Sequence, residues 1–278
     1  MTGDAASAAI ILPRGWWRVA TLALVLYVGF LVASAPASLL SWALSLATNG
    51  VLVLERPQGG AWQGNADALA VTDRSRRVHR YERLRWDFLG SRLFRGEIAA
   101  RVQIEDPNLR GAGKVALTLH RVRLSEAAFE SPAASLIGYF PALALGKLSG
   151  TLSLNTAEFV LGRDDVAGEA TIAWRNAGSA LTNVSPLGEY VARVTGAAKR
   201  AEIRVDTIEG VLRIEGRGKW SLKEGLLFDG TARAAPQHQA DLAELLKLLG
   251  PDRGGAVHQI KITASANYRA ADLAGNLR

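Results

Sequence analysis

The sequence predicts a mostly β protein: one N-terminal transmembrane helix followed by a curved antiparallel β-sheet domain with a few short helices. Three observations carry this prediction. No charged residue occurs between Arg18 and Glu55. From Val51 onward, apolar residues fall at alternate positions in short runs, the period of a strand with one face buried. Those runs recur at roughly ten-residue spacing with glycine between them, as expected for hairpins in an antiparallel sheet.

Residues 1–18 are expected to form a cytoplasmic N-terminus. Arg14 and Arg18 precede the apolar stretch, which is the charge bias of the cytoplasmic side, and Trp16 and Trp17 suit the headgroup region. Residues 19–35 form the anchor, at the lower end of the roughly 17–25 apolar residues that a bilayer core requires. A cleaved signal peptide is the competing reading, because Ala33-Ser34-Ala35 fits the small-residue pattern before a cut. Pro36 would directly follow that cut and hinder the peptidase, which favours a retained anchor. Residues 36–50 are predicted to be a membrane-proximal helical extension, capped by Ser34 with Pro36 in its first turn. Its Leu39, Leu40, Trp42, Ala43, Leu44 and Leu46 are expected along or in the outer leaflet, and Asn49-Gly50 stops it.

Residues 51–278 are expected to be an exported, periplasmic β-rich domain. A first strand at 51–54 ends at Arg56-Pro57. Leu84, Trp86 and Phe88 share one face of another strand, with Arg83, Arg85 and Asp87 on the other. Further strands are predicted at 97–104, 114–124, 150–160, 169–174, 201–205, 211–222, 226–233 and 257–268. Two short helices are expected. In 241–249, Leu242, Leu245, Leu246 and Leu249 form one stripe for core packing, ended by Gly250-Pro251. In 186–194, Ser185 would cap and Pro186 would begin the first turn.

Several kinds of chemistry are excluded by composition. The 278 residues include no cysteine, which removes disulfides, thiol catalysis, iron–sulfur clusters and cysteine zinc sites. His79, His120, His238 and His258 are isolated, with no metal-ligand spacing. Asp164-Asp165 lies where a hairpin turn is expected and lacks the oxygen spacing of a calcium loop. Gly111-Ala112-Gly113-Lys114 and Gly146-Lys147-Leu148-Ser149 lack phosphate-loop spacing, and no serine sits in a nucleophile elbow. No enzyme, metal or cofactor is expected. The net charge of +7 is densest at Arg74, Arg76, Arg77, Arg80, Arg83 and Arg85. That run reads as the solvated side of a strand pair, or as a basic contact surface for anionic membrane or an acidic protein; nucleic acid is not expected for an exported domain.

Tryptophan or proline beside glycine marks a set of motifs in a fixed order. They are Gly60-Ala61-Trp62-Gln63-Gly64, Leu84-Arg85-Trp86, Tyr139-Phe140-Pro141 running to Gly146, Ala173-Trp174, Leu187-Gly188-Glu189-Tyr190 and Leu226-Leu227-Phe228-Asp229-Gly230. Taken behind one N-terminal span, this order resembles the type II secretion system protein N family, from the anchor to about Tyr268. The resemblance implies a bitopic inner-membrane component with its bulk in the periplasm. Its partners would be other inner-membrane subunits of the machine that moves folded proteins across the outer membrane, together with membrane lipid. It carries over no catalytic residue. Trp62, Trp86 and Trp174 read as anchors of the sheet. An alternative is an envelope module of the AsmA-like kind, binding lipid or another hydrophobic ligand. A third is a scaffold that uses the arginine run of Arg74 to Arg85 to contact cell wall or outer membrane.

Overall fold

The computed structural model describes residues 16–73, 76–93, 95–138, 147–162 and 165–264. A helix forms where the anchor is expected, α1 (Trp16–Ala33), and a second follows it, α2 (Ala37–Ala47). Helix α1 has a mean hydropathy of 1.8 and no buried residue, so it is long and apolar enough to cross a membrane. Two hydroxyls bond to carbonyls of the helix itself: Thr21 donates to Trp17 O and Ser34, just past its end, to Phe30 O. Neither leaves an unpaired donor in an apolar surround. Ser34 therefore closes α1. It does not cap α2, whose N-cap is Pro36 with no side-chain bond.

Thirteen strands follow: β1 (Leu52–Gly59), β2 (Gln63–Thr72), β3 (Val78–Phe88), β4 (Ile98–Asp106), β5 (Leu109–Leu117), β6 (Arg121–Pro132), β7 (Leu148–Gly162), β8 (Val166–Ser179), β9 (Gly188–Ala197), β10 (Arg200–Gly210), β11 (Leu212–Ser221), β12 (Gly225–Ala234) and β13 (Val257–Ala264). They form one antiparallel sheet in chain order, so every strand pairs with its sequence neighbours. A one-turn helix, α3 (Gly90–Leu93), lies between β3 and β4, and α4 (Ala243–Leu249) lies between β12 and β13.

Register makes the two faces distinct across the whole sheet. One row of directly paired residues reads Pro57, Ala66, Leu84, Ile104, Gly111, Phe129, Leu154, Ile172, Ala192, Val205, Gly216, Gly230, Ile260. The adjacent row reads Gln58, Asn65, Arg85, Gln103, Ala112, Ala128, Asn155, Thr171, Arg193, Arg204, Arg217, Asp229, Lys261. Successive residues point to opposite faces, so the first row belongs to an apolar face and the second to a wet one. Register shifts in the β5–β6, β7–β8, β8–β9 and β9–β10 pairs mark bulges, which bend and further twist the strands.

The apolar face is closed by helices at its two ends. Leu40 and Leu44 of α2, with Ala37, pack on Leu54, Tyr81, Leu84, Trp86 and Ile104. At the other end Leu242, Leu245 and Leu246 pack on Leu187, Leu212, Ala232, Ala234 and Ile260. The leucine stripe predicted for 241–249 thus lies in a core. Both sheet edges are blunted, as edge strands must be to avoid pairing with other chains. Ser41 Oγ donates to Leu54 O on the β1 edge, and Gln259 N on β13 donates to Pro251 O.

The structure corrects several sequence expectations. Residues 114–124 are two strands joined by a turn in which Thr118 N donates to Arg121 O. Leu119 at its tip keeps the apolar alternation going in sequence although it is 81% exposed, so the pattern carries no sign of the turn. Residues 186–194 form no helix. Gly188–Ala197 is strand β9, with Tyr190, Ala192 and Val194 in step on the apolar face, paired on both sides. Strand β1 continues through Pro57, which an edge strand tolerates because proline's missing donor faces no partner. Strand β2 was not expected, since Gly64, Asn65 and the alternating alanines lack the usual strand-forming residues. Strand β13 is described to Ala264; the rest of the strand expected at 257–268 lies outside the described residues.

Candidate functional site

Four of the motif residues singled out in the sequence meet at one place, the junction between α1 and the first hairpin. The chain leaves α1 at Ala33, and Pro36 bridges to Gly60 at the end of β1. Ala61 N then donates to Ala35 O at 2.7 Å. Trp62 Nε1 donates to Val32 O at 2.7 Å, a carbonyl of the last helical turn that also accepts a longer bond, 3.3 Å, from Ala35 N. The Trp62 ring meets Phe88 edge-on, 6.1 Å between centroids. Trp62 O in turn accepts from Phe88 N, and Trp86 Nε1 donates to Ala61 O at 3.1 Å. Trp86 itself is buried against the core beneath α2.

Gly64 explains why this corner needs glycine. A Cβ there would stand 2.5 Å from Gln58 O and 2.6 Å from the Trp86 ring. The indole can lie over the hairpin only because the position is bare. Gly60, Trp62, Gly64 and Trp86 thus gather at the exit of an apolar helix, which two hydrogen bonds, Trp62 Nε1 to Val32 O and Ala61 N to Ala35 O, tie to the first hairpin. Helix α2 completes the junction: Thr48 Oγ1 donates to Leu44 O and accepts from Leu52 N, fastening its C-terminus to β1. Nothing in the sequence pattern signalled the bonds to Val32 and Ala35, because their acceptors are backbone carbonyls. The Gly-Ala-Trp-Gln-Gly hairpin was the one legible mark.

The other motif residues lie elsewhere. Trp174, on β8, donates to Ser149 O at 2.9 Å and packs on Tyr190, 5.6 Å between centroids. Tyr190 OH donates to Leu212 O at 2.8 Å, and burial pushes its phenol well above its usual range. Asp229, on the wet face of β12, accepts both contacts of Gln259 Nε2 at 3.2 Å. It helps line an open depression of about 440 Å³ with Arg204, Asp206, Glu215 and Arg217. Gly230 stands opposite Gly216, where a Cβ would come 2.6 Å from Glu215 O. Pro141 and Gly146 lie outside the described residues.

The described arginines of the run are spread from the β2–β3 turn along β3. Arg74 lies outside the described residues. Arg76 and Arg77 are in the turn between β2 and β3, where Asp73 accepts from Arg77 N at 2.9 Å. Arg80 forms a two-pronged pair with Glu55, which holds its guanidinium still more firmly protonated. Arg83 Nε donates to Glu105 O at 3.1 Å, and Arg85 stands exposed on the wet face. Elsewhere on that face, bases and acids alternate, as in Arg101–Asp87, Lys114–Glu126, Arg123–Glu158 and Arg193–Asp206. Among the described residues no three His, Asp or Glu side chains are grouped to hold a metal ion.

Searches of the curated proteins and of the solved structures returned no match. A family model, type II secretion system (T2SS), protein N, matches residues 51–259. The matched segment starts just after α2, takes in β1 to β12 and α4, and ends within β13. On this match the chain belongs to the type II secretion system protein N family.

Proposed function

We propose that the protein is a single-pass inner-membrane component of the type II secretion system that supports the assembly or stability of the machine and catalyses no reaction. In this reading the residues before α1 are cytoplasmic, α1 crosses the membrane, α2 follows as a membrane-proximal extension, and the sheet is the periplasmic bulk. Family membership supports the system. The observation that carries the mechanical role is the junction itself. Trp62 bonds to a carbonyl in the last turn of α1 and Ala61 to Ala35 O just past it, so the helix exit is held directly against the first hairpin. A domain held so closely works beside the membrane, where other inner-membrane subunits present their own spans and membrane-proximal segments. The mixed-charge wet face offers many weak polar contacts, which suits a partner surface.

The test is crosslinking in native membranes, with photoreactive residues placed along α1 and on the wet face at Arg85 and Arg217. Recovery of other secretion subunits is the expected result. Recovery of none, together with normal export of folded proteins from cells lacking the chain, would sink the reading.

A further inference from the structure

We infer that α2 is an in-plane interfacial helix, one side on the sheet and the other in the lipid of the leaflet where α1 ends. The inference rests on α1 crossing the bilayer, as proposed above. Sequence reasoning put all the large apolar residues of this segment in or along the leaflet; the structure divides them. Leu40 and Leu44 face the sheet and belong to its core. Leu39, Trp42 and Leu46 face away and are 51%, 63% and 64% exposed. Ser38, Ser41 and Ser45 form a polar stripe between these two sides, with Ser41 Oγ donating to Leu54 O, while the outward apolar side of Leu39, Trp42 and Leu46 has no cover among the described residues.

Three features name the bilayer as the cover on the other side. Helix α2 begins at Ala37, four residues after α1 ends, so its start lies within about 14 Å of the exit of α1. The bonds from Trp62 to Val32 and from Ala61 to Ala35 fix that proximity. Its 11 residues make a rod of about 16 Å. That is about half the roughly 30 Å hydrocarbon core, so α2 lies along the membrane and does not cross it. Finally, no charged residue occurs from Val19 to Leu54. Interfacial helices that depend on anionic lipid carry Lys and Arg on their polar face; this one binds by apolar burial alone. Its seating is therefore indifferent to salt and to anionic headgroups.

The absence of cysteine makes the test direct. Single variants Leu39→Cys, Leu46→Cys, Leu24→Cys in α1 and Thr231→Cys on the wet face are spin-labelled in the full chain. Each is reconstituted in phosphatidylcholine vesicles, and collision with oxygen and with an aqueous nickel chelate is compared. The expected result is several-fold lower nickel access and higher oxygen access at 39 and 46 than at 231, unchanged by salt or by added phosphatidylglycerol. Should 24 be protected while 39 and 46 are as open to nickel as 231, the inference is overturned and the anchor reading stands. Should 24 also be open, both fall. Protection at 39 and 46 that vanishes as protein is diluted in lipid means a second copy covers α2, and that too overturns the inference.

Discussion

Trp62 and Tyr190 each join a ring contact to a hydrogen bond donated to a backbone carbonyl. Trp62 both packs on Phe88 and supplies the donor for Val32 O. Trp62→Phe keeps the ring contact and removes the N–H, which isolates the hydrogen bond. A bond of this kind contributes about 1 kcal/mol, and Val32 O keeps its bond from Ala35 N, so the loss stays near that figure. The thermal midpoint of the detergent-solubilised chain should fall by about 2–4 °C per kcal/mol lost. Equal midpoints would mean that the bond contributes nothing. Tyr190 gives a pH signature. Its folded phenol is raised by burial, so the neutral form stabilises the fold. That contribution is complete below the unfolded value of about 10 and is lost as pH climbs through the folded value. Denaturation midpoints of the parent chain should therefore drop above about pH 10, and those of Tyr190→Phe should drop less. Parallel curves would show that Tyr190 does not contribute to the alkaline loss.

At the scale of elements, α4 shows how little a short helix needs from its own propensity when packing holds it. It has seven residues and no side-chain cap, yet Leu245 and Leu246 are buried against β11, β12 and β13. Leu246→Ala should cost about 2–5 kcal/mol, the range for deleting a core leucine. Leu248→Ala, on the solvated side of the same helix, should change stability by no more than about 0.5 kcal/mol. Guanidinium melts of both variants check the contrast, and similar losses would mean that the packing assignment is wrong. This element was legible in advance because its leucines follow the helical period. The strand pattern was also legible wherever one face is aliphatic and the other charged, as in Leu84, Trp86 and Phe88 against Arg83, Arg85 and Asp87. It failed where the local signal was genuine but overruled. Ser185-Pro186 has the chemistry of a helix start, yet Tyr190, Ala192 and Val194 have partners on β8 and β10. It failed also at β2, whose alanines suit a crowded inner face and say nothing about propensity. Of the junction, the tryptophans and glycines were visible and their convergence was not, because it depends on backbone carbonyls brought together by the hairpin.

On the scale of the whole molecule, the two cores share no residue and lie at opposite ends of one sheet. A sheet in which each strand pairs only with its neighbours stores stability largely locally, in the manner of repeat proteins. Leu84→Ala should therefore raise hydrogen exchange in β1 to β4 and leave β10 to β13 close to the parent rates, read by mass spectrometry. An equal rise at both ends would show one cooperative unit instead. The same neighbour-only pairing bears on how the protein comes into being. Each new strand finds its partner in the strand made just before it, across a short turn, so the closure entropy at every step is small. A chain emerging N-terminus first can add one hairpin arm at a time to a template already fastened at α1, and no strand waits for a distant partner still inside the ribosome or translocon. Synthesis order and assembly order coincide, and the growing edge is the only one that needs shelter along the way.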